Sequence, residues 1–176
     1  INIMYRLMYS PKNSANSIQS DGFDNDVLLP HSLYSTQSVR EIDHYAIKEL
    51  GIDGFALMNK AARFSFHALV KEWPDTRNLI VLCGSGNNAG DGYIVAALAK
   101  KRGWSVHVLF ISSPDKLKGD AISAYHLCLT EKVSCHEFST STFKTYCENE
   151  NTVIVDALLG TGLNSLVHGL YAEVIQ

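Results

Sequence analysis

The sequence predicts an α/β chain: a parallel β-sheet held between two layers of helices, an αβα sandwich, with two further helices ahead of the first long strand. Three observations carry that expectation. Short runs at 79–83, 105–110 and 152–156 have the length of strands, and the first is a continuous apolar run of the sort buried on both faces. Segments with apolar residues at helical spacing separate those runs, the alternation that gives a parallel sheet. Glycine-rich turns follow the first and the last of them, where the chain must reverse from strand to helix.

Composition sets the outer bounds. At 176 residues the chain is one domain's worth, large enough to bury a core without disulfide or metal staples. Its 46% apolar and 19% charged residues are those of an ordinary globular protein, and a net charge of −3 offers no basic footprint for nucleic acid. The four cysteines, Cys83, Cys128, Cys135 and Cys147, form no C-x-x-C pair and have no histidine at zinc spacing. They read as reduced, mostly buried thiols of a cytoplasmic protein. No apolar run approaches the roughly 18 residues of a membrane span, and the N-terminus lacks a signal peptide's pattern, so no membrane partner is expected. Residues 10–26 are rich in Ser, Asn and Asp, and the first residue is not Met. Residues 1–27 therefore read as a disordered leader or a fragment boundary, and 28–176 as the folded domain.

Taken in order, the first helix follows Leu33. Ser38 and Glu41 are spaced as a capping box, Val39, Ile42, Ala46 and Leu50 share one face, and Gly51 ends it. A second helix starts near Asp53 with an apolar stripe of Phe55, Met58, Ala62, Phe66, Leu69 and Trp73, and Pro74 stops it. These two helices are expected to cover the sheet or an oligomer interface. Then come strand 79–83, helix 91–102, strand 105–110, a helix over about 118–130, a weak strand at 134–138, a short helix at about 140–147 and strand 152–156.

The loop after the first strand, Cys83-Gly-Ser-Gly-Asn-Asn-Ala-Gly-Asp91-Gly92, is the most informative segment. Gly84, Gly86, Gly90 and Gly92 are expected to supply positive φ and room for a ligand, and the helix N-terminus beyond them suits a pyrophosphate. A Walker A loop is excluded, because Asp91 and Gly92 stand where Lys and Ser or Thr are needed. Gly84-x-Gly86-x-x-Ala89 fits the loosened dinucleotide fingerprint of Rossmann-like sheets. The next strand runs out as Phe110-Ile111-Ser112-Ser113, without the acid that grips an ordinary NAD ribose.

Asn87 and Asn88 read either as ligand contacts or as turn formers with left-handed φ, and Asp91 either as a ligand contact or as the helix cap. The last strand ends at Asp156 and runs into a second glycine turn at Gly160 and Gly162. With the common strand order 3-2-1-4, the two loops are neighbours at the switch point and form two walls of one crevice. Asparagine oxygens, one carboxylate and loop carbonyls there suit a hard monovalent or divalent cation. The seven histidines are scattered and read as structural or surface residues.

The combination G-x-G-N-N-A-G-D-G-Y after the first strand, V-D-A-L-L-G-T-G-L after the last, and A-L-M-N-K-A-A in an N-terminal helix resembles the NAD(P)H-hydrate epimerase family, the YjeF N-terminal domain. The resemblance covers about residues 30–176. It implies a Rossmann-type sandwich with isomerase activity, interconverting the R and S epimers of NADHX and NADPHX in metabolite repair. It implies substrate contacts at Asn87, Asn88, Ala89, Gly90 and Asp91, and again at Gly160, Thr161, Gly162, Leu163, Asn164, Ser165 and Leu166. It makes Asn88 and Asp156 ligands of a potassium ion (K+) and Asp156 the catalytic acid or base. It further implies an ADP- or ATP-dependent NAD(P)H-hydrate dehydratase, fused or separate. A homodimer through the N-terminal helices is also expected.

The chain departs from the family at Ala89, where Gly is common, and at Asn59 and Ala62, where Glu and Gly are often found. Members also continue with further strands and a D-I-P-S-G segment, so a chain that stops at Gln176 inside a helix is expected to be truncated. Two other readings stand beside the epimerase: a non-catalytic binding or scaffold module with the same fold, and a conventional NAD-dependent oxidoreductase, which the missing acid after Phe110 disfavours.

Overall fold

The computed structural model describes residues 4–7, 34–149, 151–163 and 165–176. Residues 52–176, with the strand near the N-terminus, form one compact unit, and residues 9–51 form another. In the second unit the described element is α1, Thr36–Lys48. Its cap is Ser35, whose hydroxyl accepts from the Ser38 amide at 3.1 Å. This corrects the expected Ser38–Glu41 box: the serine three residues earlier takes the cap, and Glu41 accepts instead from Gln37.

In the first unit the elements are β1 (Met4–Leu7), α2 (Gly54–Glu72), β2 (Asn78–Cys83), α3 (Asn87–Lys101), β3 (Ser105–Phe110), α4 (Asp120–Thr130), β4 (Ser134–Glu137), α5 (Thr140–Cys147), β5 (Thr152–Ala157) and α6 (Leu170–Ile175). The sheet order is β1-β5-β2-β3-β4, with β5, β2, β3 and β4 parallel and β1 antiparallel to β5. Among the four parallel strands this is the expected 3-2-1-4 order. The sequence offered no strand at Met4–Leu7, and the remainder of the expected leader, 1–3 and 8–27, lies outside the described residues.

The layers follow from the handedness of the connections. From β2 to β3 to β4 the chain steps one way across the sheet, and right-handed crossovers put α3 and α4 on one face. From β4 to β5 it steps back past β2, so α5 lies on the other face. Two apolar clusters result. The larger joins Met58, Ala62, Phe66 and Leu69 of α2 to α3, α4 and one side of the strands. The smaller packs Ile80, Leu82, Leu109, Ile154 and Leu158 against Phe143 and Tyr146 of α5 and Tyr171 and Val174 of α6. The stripe read on α2 is thus the face it buries, with Asp53 accepting from the Ala56 amide at 2.8 Å as its cap.

The helix α3 differs from its sequence pattern. With α2 and α4 on its flanks and the sheet beneath, it is buried on nearly every side, from Asn88 to Ala97 and again at Ala99. Its small residues make this close packing feasible. Four free cysteines are described, two of them, Cys83 and Cys128, fully buried. No described helix is long and apolar enough to cross a membrane.

Candidate active site

Three residues, Gly84, Ser85 and Gly86, carry the chain from β2 to α3, which begins at Asn87. The helix therefore starts four residues earlier than its pattern predicts, and Asn87 to Asp91 occupy its first turns. Gly86 is the N-cap, with extended backbone (φ −106°, ψ −168°) and no side-chain cap bond. Its carbonyl accepts from the amides of Ala89 (3.0 Å) and Gly90 (3.3 Å). The amides just before those head the helix end, where an anion is favoured. Among described non-glycine residues only Lys132 and Asn151 have positive φ, so the two asparagines are not left-handed turn formers. Asp91, buried and fifth in the helix, is not its cap.

The glycines act differently from expectation. None of Gly84, Gly86, Gly90 and Gly92 has positive φ. Three of them are points of close approach within the protein. A Cβ on Gly84 would collide with the Leu158 carbonyl oxygen, one on Gly90 would stand 2.7 Å from the Met58 sulfur, and one on Gly92 would stand 2.5 Å from the Ala157 Cβ. Gly86 faces open space. The loop is glycine-rich chiefly because α3 must sit hard against β5, α2 and α4.

The second loop meets the first at its base. The Gly84 amide donates to the Ala157 carbonyl at 3.1 Å. Asn88 Nδ2 donates to the Leu159 carbonyl at 3.2 Å, and a Cβ on Gly160 would lie 3.1 Å from the Asn88 Cβ. Asp156, next to last in β5 and partly exposed, accepts the Leu158 amide on Oδ1 at 2.9 Å. One three-residue stretch, Leu158 to Gly160, thus orients both the carboxylate and the asparagine. Beyond it the Leu163 amide donates to the Gly160 carbonyl at 3.3 Å, closing a turn. Thr161, Gly162, Leu163, Ser165 and Leu166 are exposed, as is Asn87, whereas Ala89 and Gly90 are buried. Asn164 lies outside the described residues.

Asn88 is itself buried, yet its Oδ1 has no hydrogen-bond partner. A buried amide oxygen left unpaired costs about 1–3 kcal/mol, and a cation would satisfy it. An amide oxygen and a carboxylate, each tied to the stretch from Leu158 to Gly160, are of the hard-oxygen type that such an ion takes. The chemistry of Asn88 and Asp156 thus fits a cation ligand set. Among the described residues no cluster of three His, Cys, Asp or Glu side chains offers a transition-metal site. Tyr93, next in the motif, belongs to the core: fully buried and edge-on to Tyr125, its phenol is pushed far above the ordinary range by burial and then by the neighbouring thiols, Cys83 first.

One participant was absent from the sequence reading. Tyr171, from α6, bonds Ser112 hydroxyl to hydroxyl at 3.0 Å, and its oxygen lies 3.2 Å from where a Gly84 Cβ would be. No local pattern marks two residues 59 positions apart as partners.

Residues 54–176 match the family described as YjeF-related protein N-terminus. The chain is 37% identical over 144 residues to the bifunctional NAD(P)H-hydrate repair enzyme Nnr of Coxiella burnetii, covering 81% of this chain and 28% of that protein. It is 32% identical over 149 residues to the NAD(P)H-hydrate epimerase of Limosilactobacillus reuteri (strain ATCC 55730 / SD2112), covering 84% of this chain and 68% of that one. The crystal structure of yeast ynu0, YNL200c, shares the fold, with a TM-score of 0.70 at 20% identity over 82% of this chain and 63% of that one. The chain thus spans little over a quarter of the Coxiella protein and about two thirds of the Limosilactobacillus one.

Proposed function

The chain belongs to the family of YjeF-related protein N-termini, and from that premise we propose that it is an NAD(P)H-hydrate epimerase, interconverting the R and S epimers of NADHX and NADPHX. The observation that carries this reading is the joint between the two loops: a buried asparagine with an orphaned oxygen and a strand-end carboxylate, both oriented by Leu158 to Gly160. The pyrophosphate of the substrate rests on the amides at the start of α3, and the hydrated ring lies over the carboxyl end of β5. Inverting a hydroxyl-bearing ring carbon needs a group that takes a proton and returns it as a bond to that carbon breaks and re-forms. Asp156 is that group. Potassium held by Asn88 Oδ1 and the Asp156 carboxylate would supply positive charge beside the pyrophosphate. Thr161 and the exposed Leu163, Ser165 and Leu166 cover the ring from the other side.

The test is the rate of R-to-S conversion of NADHX, in potassium and in sodium buffers, beside Asp156→Asn. The expected result is faster conversion in potassium and a loss of about 10²-fold or more in the variant. No conversion in either buffer would sink the epimerase reading. The bifunctional name of the Coxiella relative supports a place beside an ADP- or ATP-dependent dehydratase that consumes one epimer, and the free cysteines support a cytoplasmic setting. The exposed Val39, Ile42 and Tyr45 of α1 support a homodimer through the N-terminal helices. Light scattering should then show dimer for the whole chain and monomer once residues 1–52 are removed.

A further inference from the structure

The strand after the glycine loop lacks the acid that usually holds the adenosine ribose of a dinucleotide. Its end, Ile111-Ser112-Ser113, sits beside that loop, with the Ile111 amide donating to the Cys83 carbonyl at 2.9 Å. The nearest carboxylate downstream, Asp115, is exposed and accepts from the Ser113 hydroxyl at 3.0 Å in a local turn. The structure brings something else to this place. Tyr171 crosses from α6 to meet Ser112, and the same phenol oxygen reaches the first glycine of the loop.

We propose that the Ser112–Tyr171 hydroxyl pair is the subsite for the adenosine-side ribose of the substrate, replacing the missing acid. The proposal rests on the dinucleotide substrate of the epimerase reading. Strand order fixes which half of the substrate arrives there. β2 lies between β5 and β3, so a dinucleotide with its reacting ring over Asp156 and its pyrophosphate over the loop after β2 extends its other half across the end of β3. The chemistry matches a neutral diol. Two hydroxyls carry two donors and four lone pairs, and their mutual bond uses one of each. Lone pairs remain to accept from the ribose 2′- and 3′-hydroxyls, and one donor remains to bond back. Both residues are partly exposed, so a ligand reaches them.

The experiment is calorimetric titration of the protein with ADP and with 2′,3′-dideoxy-ADP, in wild type, Ser112→Ala and Tyr171→Phe. Wild type should bind ADP about three- to tenfold more tightly than the dideoxy compound, the worth of one or two neutral hydrogen bonds. Each variant should lose most of that preference while binding the dideoxy compound as wild type does. A purely structural Tyr171 would weaken both ligands alike and leave the preference in place, which would overturn the proposal. Equal binding of the two ligands by wild type, or no binding of ADP, would overturn it as well. If the hydroxyl-dependent preference holds but hydrated NADH is not epimerised, the ribose subsite stands and the epimerase reading falls.

Discussion

The two glycine-rich segments of this chain look alike in sequence and differ in the fold. In the first, Asn88 to Gly92 are buried and packed on all sides, and its glycines admit neighbouring parts of the protein. In the second, the described residues from Thr161 to Leu166 are exposed, with Leu163 49% and Leu166 90% exposed. The first is a rigid seat and the second a cover, joined where Asn88 meets Leu159. A glycine-rich string therefore does not declare its purpose. Glycine near a ligand can serve close packing behind the site as well as access to it.

The sharpest way to break this contrast is at Gly84. Gly84→Ala drives a methyl into the Leu158 carbonyl, prising apart the strands' ends that hold both loops, and should cost about 1–3 kcal/mol or more in chemical denaturation. Gly86→Ala is the control, since nothing lies within 4 Å of its would-be Cβ; equal losses at both positions would refute the packing role. At the small end, Leu166→Ser should change stability by no more than about 0.5 kcal/mol, because the side chain is almost wholly exposed. Its effect should appear instead as a raised KM for NADHX. A large drop in stability would show that the second segment is part of the core.

How far the sequence could be read depends on the range of the interaction involved. Apolar runs and helical spacing are local, so they located the parallel strands and helices from α2 onward and placed both loops at one switch point. The start of α3 was misjudged because Asn and Gly are weak helix formers; here the first turn of α3 is seated by contacts to Met58, Ala121 and β5. Likewise Ser35 outcompeted Ser38 as a cap, a choice between two serines that spacing does not settle.

By itself the sequence determined the alternation of strand and helix, the parallel core of the sheet and the pairing of an asparagine-rich loop with a strand-end aspartate, since each follows from hydrophobic period and residue type. The tertiary structure alone decided the rest. It made the glycines packing points, left Asn88 Oδ1 buried without a partner and joined Tyr171 to Ser112. Those features depend on atoms from residues 59 and 71 positions apart meeting in space, and contacts of that range leave no trace in any local pattern.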